Sequence, residues 1–235
     1  MEYFYTPPHL IGRSELTIEG DEFVHLTHVM RKKPGDAIRV VNGVGTAYDA
    51  TIVGIDRRIA RCEITVAHPR LHEPERDLTL GAAILKNSSR FDFLVEKVTE
   101  LGVNTIVPLL TERTIPRHAK TDRWQKLALA AMKQSGRCIL PRVRESTSLS
   151  AFLDAATPGT LRLIPHEQGD FPALMDIIRG REFRSALICI GPEGGFADDE
   201  LKHAQHAGFE PVSLGQRRLR TETACVVAMG LLSCP

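Results

Sequence analysis

The apolar residues of this 235-residue chain change their period once, near residue 70. Up to that point they alternate with polar ones. "DAIRVVNG", "AYDATIVGI" and "RIARCEITV" carry the period of two that predicts half-buried strands. "KPGD" (33–36) and "NGVG" (42–45) are turns by composition. "DEFVHLTHVM" predicts one helix among these strands, capped by Asp21 or a neighbour. The pattern is that of a small, mostly antiparallel barrel or sheet. "HPRLHEPERD" (68–77) is polar, proline-punctuated and aperiodic, and reads as a linker.

Beyond the linker, apolar runs of strand length alternate with helical spacing. "LTLGAAIL", "NTIVPLL", "LRLIP", "SALICI" and "PVSL" are the strands. "SSRFDFLVEKVTELG" has apolar residues at 91, 94, 95, 98 and 101 and stops at Gly102. "TDRWQKLALAAMKQSG" starts at a cap on Thr121 or Asp122 and stops at Gly136. Further helices are predicted near 171–179, near 198–207 and from about 221. Repeated βα units give an α/β domain whose parallel sheet is covered by helices on both faces. The expected division is 1–70 and 71–235. Ligands of such sheets sit at the carboxyl edge of the strands.

Composition narrows the class. The chain is 43% hydrophobic and 25% charged, as in an ordinary globular protein. No run approaches the roughly eighteen apolar residues of a membrane span. "MEYFYTPPHL" has no basic leader before an apolar run, so no signal peptide is expected. Cys62, Cys138, Cys189, Cys225 and Cys234 are scattered and never spaced C-x-x-C. Neither a disulfide framework nor a metal site is expected, and a reducing cytoplasm suits them. Net charge is +1, but residues 112–144 hold nine Lys/Arg against two acids, whereas 145–235 hold eight basic and twelve acidic groups. Such asymmetry attracts a polyanion, although a solvated helix face reads the same way.

Two segments lie at strand ends. "ICIGPEGGFADDE" (188–200) runs from a strand into a turn in which Gly191, Gly194 and Gly195 permit close approach of backbone to a ligand. It is neither G-x-G-x-x-G nor a P-loop. Glu193 disfavours a phosphate and suits a neutral or cationic ligand. Glu200 stands where a capping-box acid would, with Asp198 as the expected cap of the helix. In "VSLGQRRLRTETACVVAMGLL" a strand ends at Leu214. Arg217, Arg218 and Arg220 follow, and Thr221 is the expected cap, with Glu222 at the helix's positive end. From Ala224 to Leu232 almost every residue is apolar, which predicts a helix buried on all sides in a core or subunit interface.

"IGPEGGF" followed by "SLGQRRLRTETA" resembles the signature of the RsmE family, the 16S rRNA (uracil-N3) methyltransferases of the SPOUT superfamily. "HVMRKKPGD", "VEKVTELGVNTIVPLLTERT", "RWQKLALAAMKQSGR" and "LIPHE" fall in the family's order, so the resemblance spans nearly the whole chain. It implies a PUA-like RNA-binding barrel at 1–70 and a SPOUT methyltransferase domain with a trefoil knot at 71–235. It also implies a cytoplasmic homodimer, with no membrane partner, acting on 16S rRNA of the small ribosomal subunit. S-adenosyl-L-methionine is the implied donor, held in a bent form by Leu163, Ile190, Gly191, Pro192, Glu193, Gly194, Gly195, Leu214, Gly215, Leu219, Thr221, Thr223 and Ala224. Ala197 stands where relatives often have Ser, and Gln216-Arg217-Arg218 where many have a Pro or an aliphatic residue.

The implied reaction is attack of uridine N3, in the decoding region, on a sulfonium methyl. Loss of the N3 proton spreads negative charge onto O2 and O4, and an arginine aimed there would stabilise it. Arg220 is the first candidate for that role. His166, Glu167 and Glu222 are candidate bases, and the sequence does not choose among them. N3 is a Watson–Crick position, so the uridine must be unpaired or flipped. Arg31, Lys33, Arg113, Arg137, Arg217 and Arg218 are candidate RNA contacts. The rival readings are an RNA-binding assembly factor without catalysis and a SPOUT methyltransferase for another RNA.

Overall fold

In the computed structural model, which describes residues 2–155, 159–167 and 169–234, the alternating N-terminal runs pair into a five-stranded sheet. Its strands are β1 (Tyr3–Tyr5), β2 (Glu15–Glu19), β3 (Ala37–Val41), β4 (Thr46–Ile55) and β5 (Ile59–Pro69), in the order β1-β3-β4-β5-β2. Every pairing is antiparallel except β1 with β3. One face of these strands buries Phe4, Leu16, Ile18, Ile38, Val40 and Ile52 against Phe23 and Leu26.

Phe23 lies on α1 (Gly20–Val24), which widens into a π-helical turn over His25–Val29 and closes on a bond from Met30 N to His25 O of 2.9 Å. The cap position is Glu19, whose side chain makes no capping bond, so Asp21 falls inside the helix rather than capping it. Arg31 follows with φ of 52°.

The chain forms two units, Met1–Glu73 with Leu129–Leu140, and Pro74–Ala128 with Pro141–Pro235. The first thus takes the end of α3 (Thr121–Ser135) and the turn after it, beyond the break expected at residue 70. Apolar packing explains this: Met132 and Cys138 are buried in one cluster with Val41 and Ala47. A buried ion pair reinforces it. Arg137 Nη2 lies 2.7 Å from Glu73 Oε2, with side chains 2% and 0% exposed. Glu73 Oε1 also accepts from Cys138 N at 2.7 Å and Ile139 N at 2.8 Å. The expectation that Arg137 contacts RNA is therefore corrected, because a guanidinium sealed against a buried carboxylate cannot reach a phosphate.

In the second unit the βα pattern gives a parallel sheet. Its strands are β6 (Asp77–Ala83), β7 (Thr105–Leu110), β8 (Arg142–Val143), β9 (Thr147–Ser148), β10 (Leu161–Pro165), β11 (Ser185–Ile190) and β12 (Glu210–Val212). The order is β12-β10-β11-β6-β7-β8, with β9 also on β7. β6 approaches its neighbours so closely that a Cβ on Gly81 would stand 2.7 Å from the Phe152 ring. The helices are α2 (Ser88–Glu100), α4 (Leu149–Asp154), α5 (Leu174–Arg179), α6 (Asp198–His206) and α7 (Thr221–Ser233), besides the start of α3. Asn87 caps α2 by accepting from Ser89 N at 2.9 Å, and Gly102, at φ of 98°, ends it.

α7 buries Cys225, Ala228, Met229 and Leu232, but Ala224, Val226, Val227 and Leu231 on its other side are only half-buried. Within one chain the core alone therefore does not bury this helix all round, and an apolar face is left half-buried. Its cap is Arg220 without a side-chain bond, which corrects the expected Thr221 cap. On α6 the cap position is Ala197 rather than Asp198. Among the described residues no helix is long and apolar enough to cross a membrane, and no group of three His, Cys, Asp or Glu is placed to hold a metal.

Candidate active site

Because β10, β11 and β12 run parallel, the loops that follow them emerge on one edge of the sheet. They enclose a cavity of about 280 Å³. The glycine turn forms one wall. Gly195 sits at φ of 70°, and a Cβ on Gly191 would press on the Phe196 ring at 3.3 Å. The loop after β12 forms the opposite wall through Leu214, Gly215 (φ of 112°) and Leu219, and α7 contributes Thr221 and Ala224. Pro165, His166 and Glu167 close it from β10.

Side-chain bonds tie these loops together. Thr221 Oγ1, free of any capping duty, donates to Gly191 O at 2.9 Å. Arg218 reaches two loops at once, with Nη2 3.3 Å from Glu193 O and Nε 3.1 Å from Glu167 Oε2. Arg113, which follows β7, donates to Gly194 O at 2.7 Å. Glu200 braces the far end of the turn, accepting from Ala197 N at 2.9 Å and Glu112 N at 2.8 Å. The glycine turn is therefore held from three sides with few contacts from its own residues, a way to keep bare backbone preorganised for a ligand.

Of the residues expected to hold the donor, Ile190, Gly191, Pro192, Glu193, Gly195, Leu214, Gly215, Leu219, Thr221 and Ala224 line this cavity, as do Arg217, Arg218 and Arg220. Leu163 does not. It is fully buried within β10, and the strand meets the cavity two residues later, at Pro165. Gly194 faces Arg113, and Thr223 points outward on α7. Glu222 is also corrected as a candidate base, since it lines no wall and its Oε2 is buried. Its Oε1 lies 3.6 Å from Arg90 Nε. Arg31 and Lys33 are exposed on the first unit.

Sequence reasoning missed Phe196 as a wall residue. It also missed a second concavity, formed by Lys86, Asn87, Ser88 and Arg90 beside Glu193. The signal was available: "KNSSR" is a polar run at the carboxyl end of β6, the same edge of the same sheet. Thiol chemistry has no place here. Burial pushes Cys62 up to about 12 and raises Cys189 and Cys225 well above the ordinary range.

The walls combine apolar side chains and glycine backbone with the charged groups of Glu167, Glu193, Arg217, Arg218 and Arg220, so the cavity suits a flat heterocycle joined to a polar, charged group. Comparison with known proteins agrees. The model of an RNA methyltransferase domain matches residues 72–233, and that of an RNA methyltransferase PUA domain matches 18–65. The chain is 33% identical over 230 residues to ribosomal RNA small subunit methyltransferase E of Synechocystis sp., covering 96% of this chain and 75% of that protein. It is 29% identical to the protein of the same name from Aquifex aeolicus, with 99% of each covered. The crystal structure of ribosomal RNA small subunit methyltransferase E from Neisseria gonorrhoeae bound to S-adenosyl methionine superposes with a TM-score of 0.87. It is 33% identical, with 97% of this chain and 95% of that one covered.

Proposed function

Since the chain belongs to the ribosomal RNA small subunit methyltransferase E family, we propose that it methylates N3 of a uridine in the decoding region of 16S rRNA. S-adenosyl-L-methionine is the donor. The observation that carries this reading is the cavity at the carboxyl ends of β10, β11 and β12, closed by the glycine turn and the loop of Leu214–Thr221. The donor supplies a methyl group made electrophilic by a sulfonium sulfur. The chain's own groups hold and orient it. Ile190, Leu214 and Leu219 offer apolar faces to the adenine, and the backbone of Gly191, Gly195 and Gly215 offers hydrogen bonds to its edge. Arg220, exposed at the wall, stabilises the charge that develops on the uracil oxygens.

The same reading makes residues 1–70 the RNA-binding domain and 71–235 the catalytic one, with Arg31 and Lys33 on phosphates. It pairs two copies through the open apolar face of α7, whose Val226, Val227 and Leu231 are otherwise left half in water. The insertion of β11 between β6 and β10, with α7 returning onto β6 and β11, supports a knotted chain path. Free thiols support a cytoplasmic location.

The test is transfer of label from S-adenosylmethionine to small ribosomal subunits lacking the modification, with large subunits and bulk tRNA alongside and the product nucleoside identified by mass spectrometry. The expected result is 3-methyluridine in small-subunit rRNA alone. Donor binding without transfer would point to another RNA. No donor binding would favour an assembly factor.

A further inference from the structure

The concavity at the end of β6 adjoins the donor cavity through one residue. Of the side chains lining the two, Glu193 alone belongs to both. It is exposed, and among the described residues its carboxylate makes no hydrogen bond or ion pair, although its backbone carbonyl accepts from Arg218. Of the other candidate carboxylates, Glu167 is engaged by Arg218 and Glu222 faces Arg90. Lys86 and Arg90 share the concavity of Glu193, and Arg113 is bound to the neighbouring carbonyl of Gly194.

The chemistry of an imide decides where its base must stand. The N3 proton lies in the plane of the uracil ring, along the line the methyl group must later take, because both bonds use the same nitrogen orbital. A base stacked on the ring or placed behind it cannot reach that proton. It has to stand at the seam between acceptor and donor and turn aside once protonated. A residue lining both concavities, exposed and free of partners among the described residues, meets that requirement; Glu222, which lines neither, does not.

Resting on the methyltransferase reading above, we propose that the concavity of Lys86, Asn87, Ser88 and Arg90 seats the acceptor uracil and that Glu193 removes its N3 proton. The N3–H bond breaks towards the Glu193 carboxylate, and the electron pair left on N3 spreads to O2 and O4, where Lys86 and Arg90 join Arg220 in stabilising it. With the carboxyl turned aside, the N3 pair forms the new bond to the methyl carbon. The bond from methyl to sulfur breaks with its pair kept by sulfur, which leaves as a neutral thioether. Glu193 then returns the proton to water. Glu222 is a positioning residue that holds the Arg90 guanidinium by charge. The site selects uracil over cytosine, which has no N3 proton and presents an amino donor to the two cations where uracil presents O4.

The test compares wild-type protein with Glu193→Gln and Glu193→Asp. Donor affinity is measured by calorimetry, and single-turnover methyl transfer to unmodified small subunits is followed from neutral to alkaline pH. Glu193→Gln is expected to retain donor binding and to transfer about 10²–10⁴-fold more slowly. Its residual rate should climb with pH more steeply than that of wild type, as hydroxide replaces the lost base. Glu193→Asp should recover part of the rate. Transfer by Glu193→Gln at the wild-type rate overturns the assignment. So does a rate that falls only in proportion to donor affinity, with an unchanged pH profile. Wild-type protein separates the two levels: if it makes no 3-methyluridine, the functional reading falls and this one with it, whereas if wild type and Glu193→Gln make it equally, Glu193 alone is misassigned.

Discussion

Arginines that look alike in the sequence do four different things in the fold. Arg218 ties loops, Arg113 holds a carbonyl, Arg220 lines the donor cavity, and Arg137 is sealed against Glu73. Side-chain identity and local charge singled out the first three, Arg220 as a catalytic group and Arg113 and Arg218 as RNA contacts, but not the loop bonds that Arg113 and Arg218 make. Nothing local distinguished Arg137, because its partner lies 64 positions away in the linker segment. The difference has a measurable consequence. Removing one partner of a buried pair leaves a charge without compensation, which costs about 3–5 kcal/mol. Arg137→Ala is therefore expected to lower the midpoint of urea unfolding sharply. A role in holding RNA would instead weaken rRNA binding and leave the midpoint where it was. The glycines at 191, 194 and 195 were legible for the opposite reason, since the need for backbone without a Cβ is written in the residue itself.

At the level of elements, periodicity located most strands and helices, the three-residue β12 among them, but not β1, β2, β8, β9 or α4. β8 and β9 are two residues each, too short to carry any period. The π-helical turn was hidden because it ends the helix, so no later residues reveal the shift in phase that an extra residue causes. Cross-strand chemistry was equally silent until register was known. β3 and β4 bring Arg39 directly opposite Asp49, with Nε 2.7 Å from Oδ1, and β5 adds His68 Nε2 at 2.8 Å from Oδ2. The hydrogen bond from Arg39, and after it that from His68, holds the Asp49 carboxyl below its ordinary range. A carboxylate with a depressed folded pKa stabilises the fold above its unfolded pKa, about 4, and that contribution is lost as pH falls through the folded value. Wild type is therefore expected to exceed Asp49→Asn in stability at neutral pH, with the gap closing on acidification below about pH 4. Urea unfolding of both across that range checks it, and a gap independent of pH would rule it out.

For the molecule as a whole, the change of period near residue 70 revealed two regimes, yet not that Leu129–Leu140 would join the first unit. That return depends on Met132 and Cys138 filling a cluster with Val41 and Ala47, a long-range fit that no window of sequence contains. The same limit applies to charge. The basic stretch of 112–144 suggested one broad surface for RNA, but folding pairs Arg123 with Asp92, Lys133 with Glu22 and Arg137 with Glu73. What the first unit keeps in solvent for a polyanion includes Arg31 and Lys33, at the turn after the π-helical segment. Removing one cation that neutralises a phosphate flattens the dependence of log affinity on log salt by about 0.7–0.9. The double variant Arg31→Gln, Lys33→Gln is therefore expected to bind small-subunit rRNA more weakly at low salt, with a slope flatter by about 1.5. Its affinity for the methyl donor should be unchanged, because every residue lining the donor cavity belongs to the other unit. Titrations of rRNA binding at several salt concentrations, with donor calorimetry beside them, separate the cases. An unchanged slope would remove these two residues from the RNA surface, whereas loss of donor affinity alongside it would mean that the substitutions act through the fold rather than through phosphate.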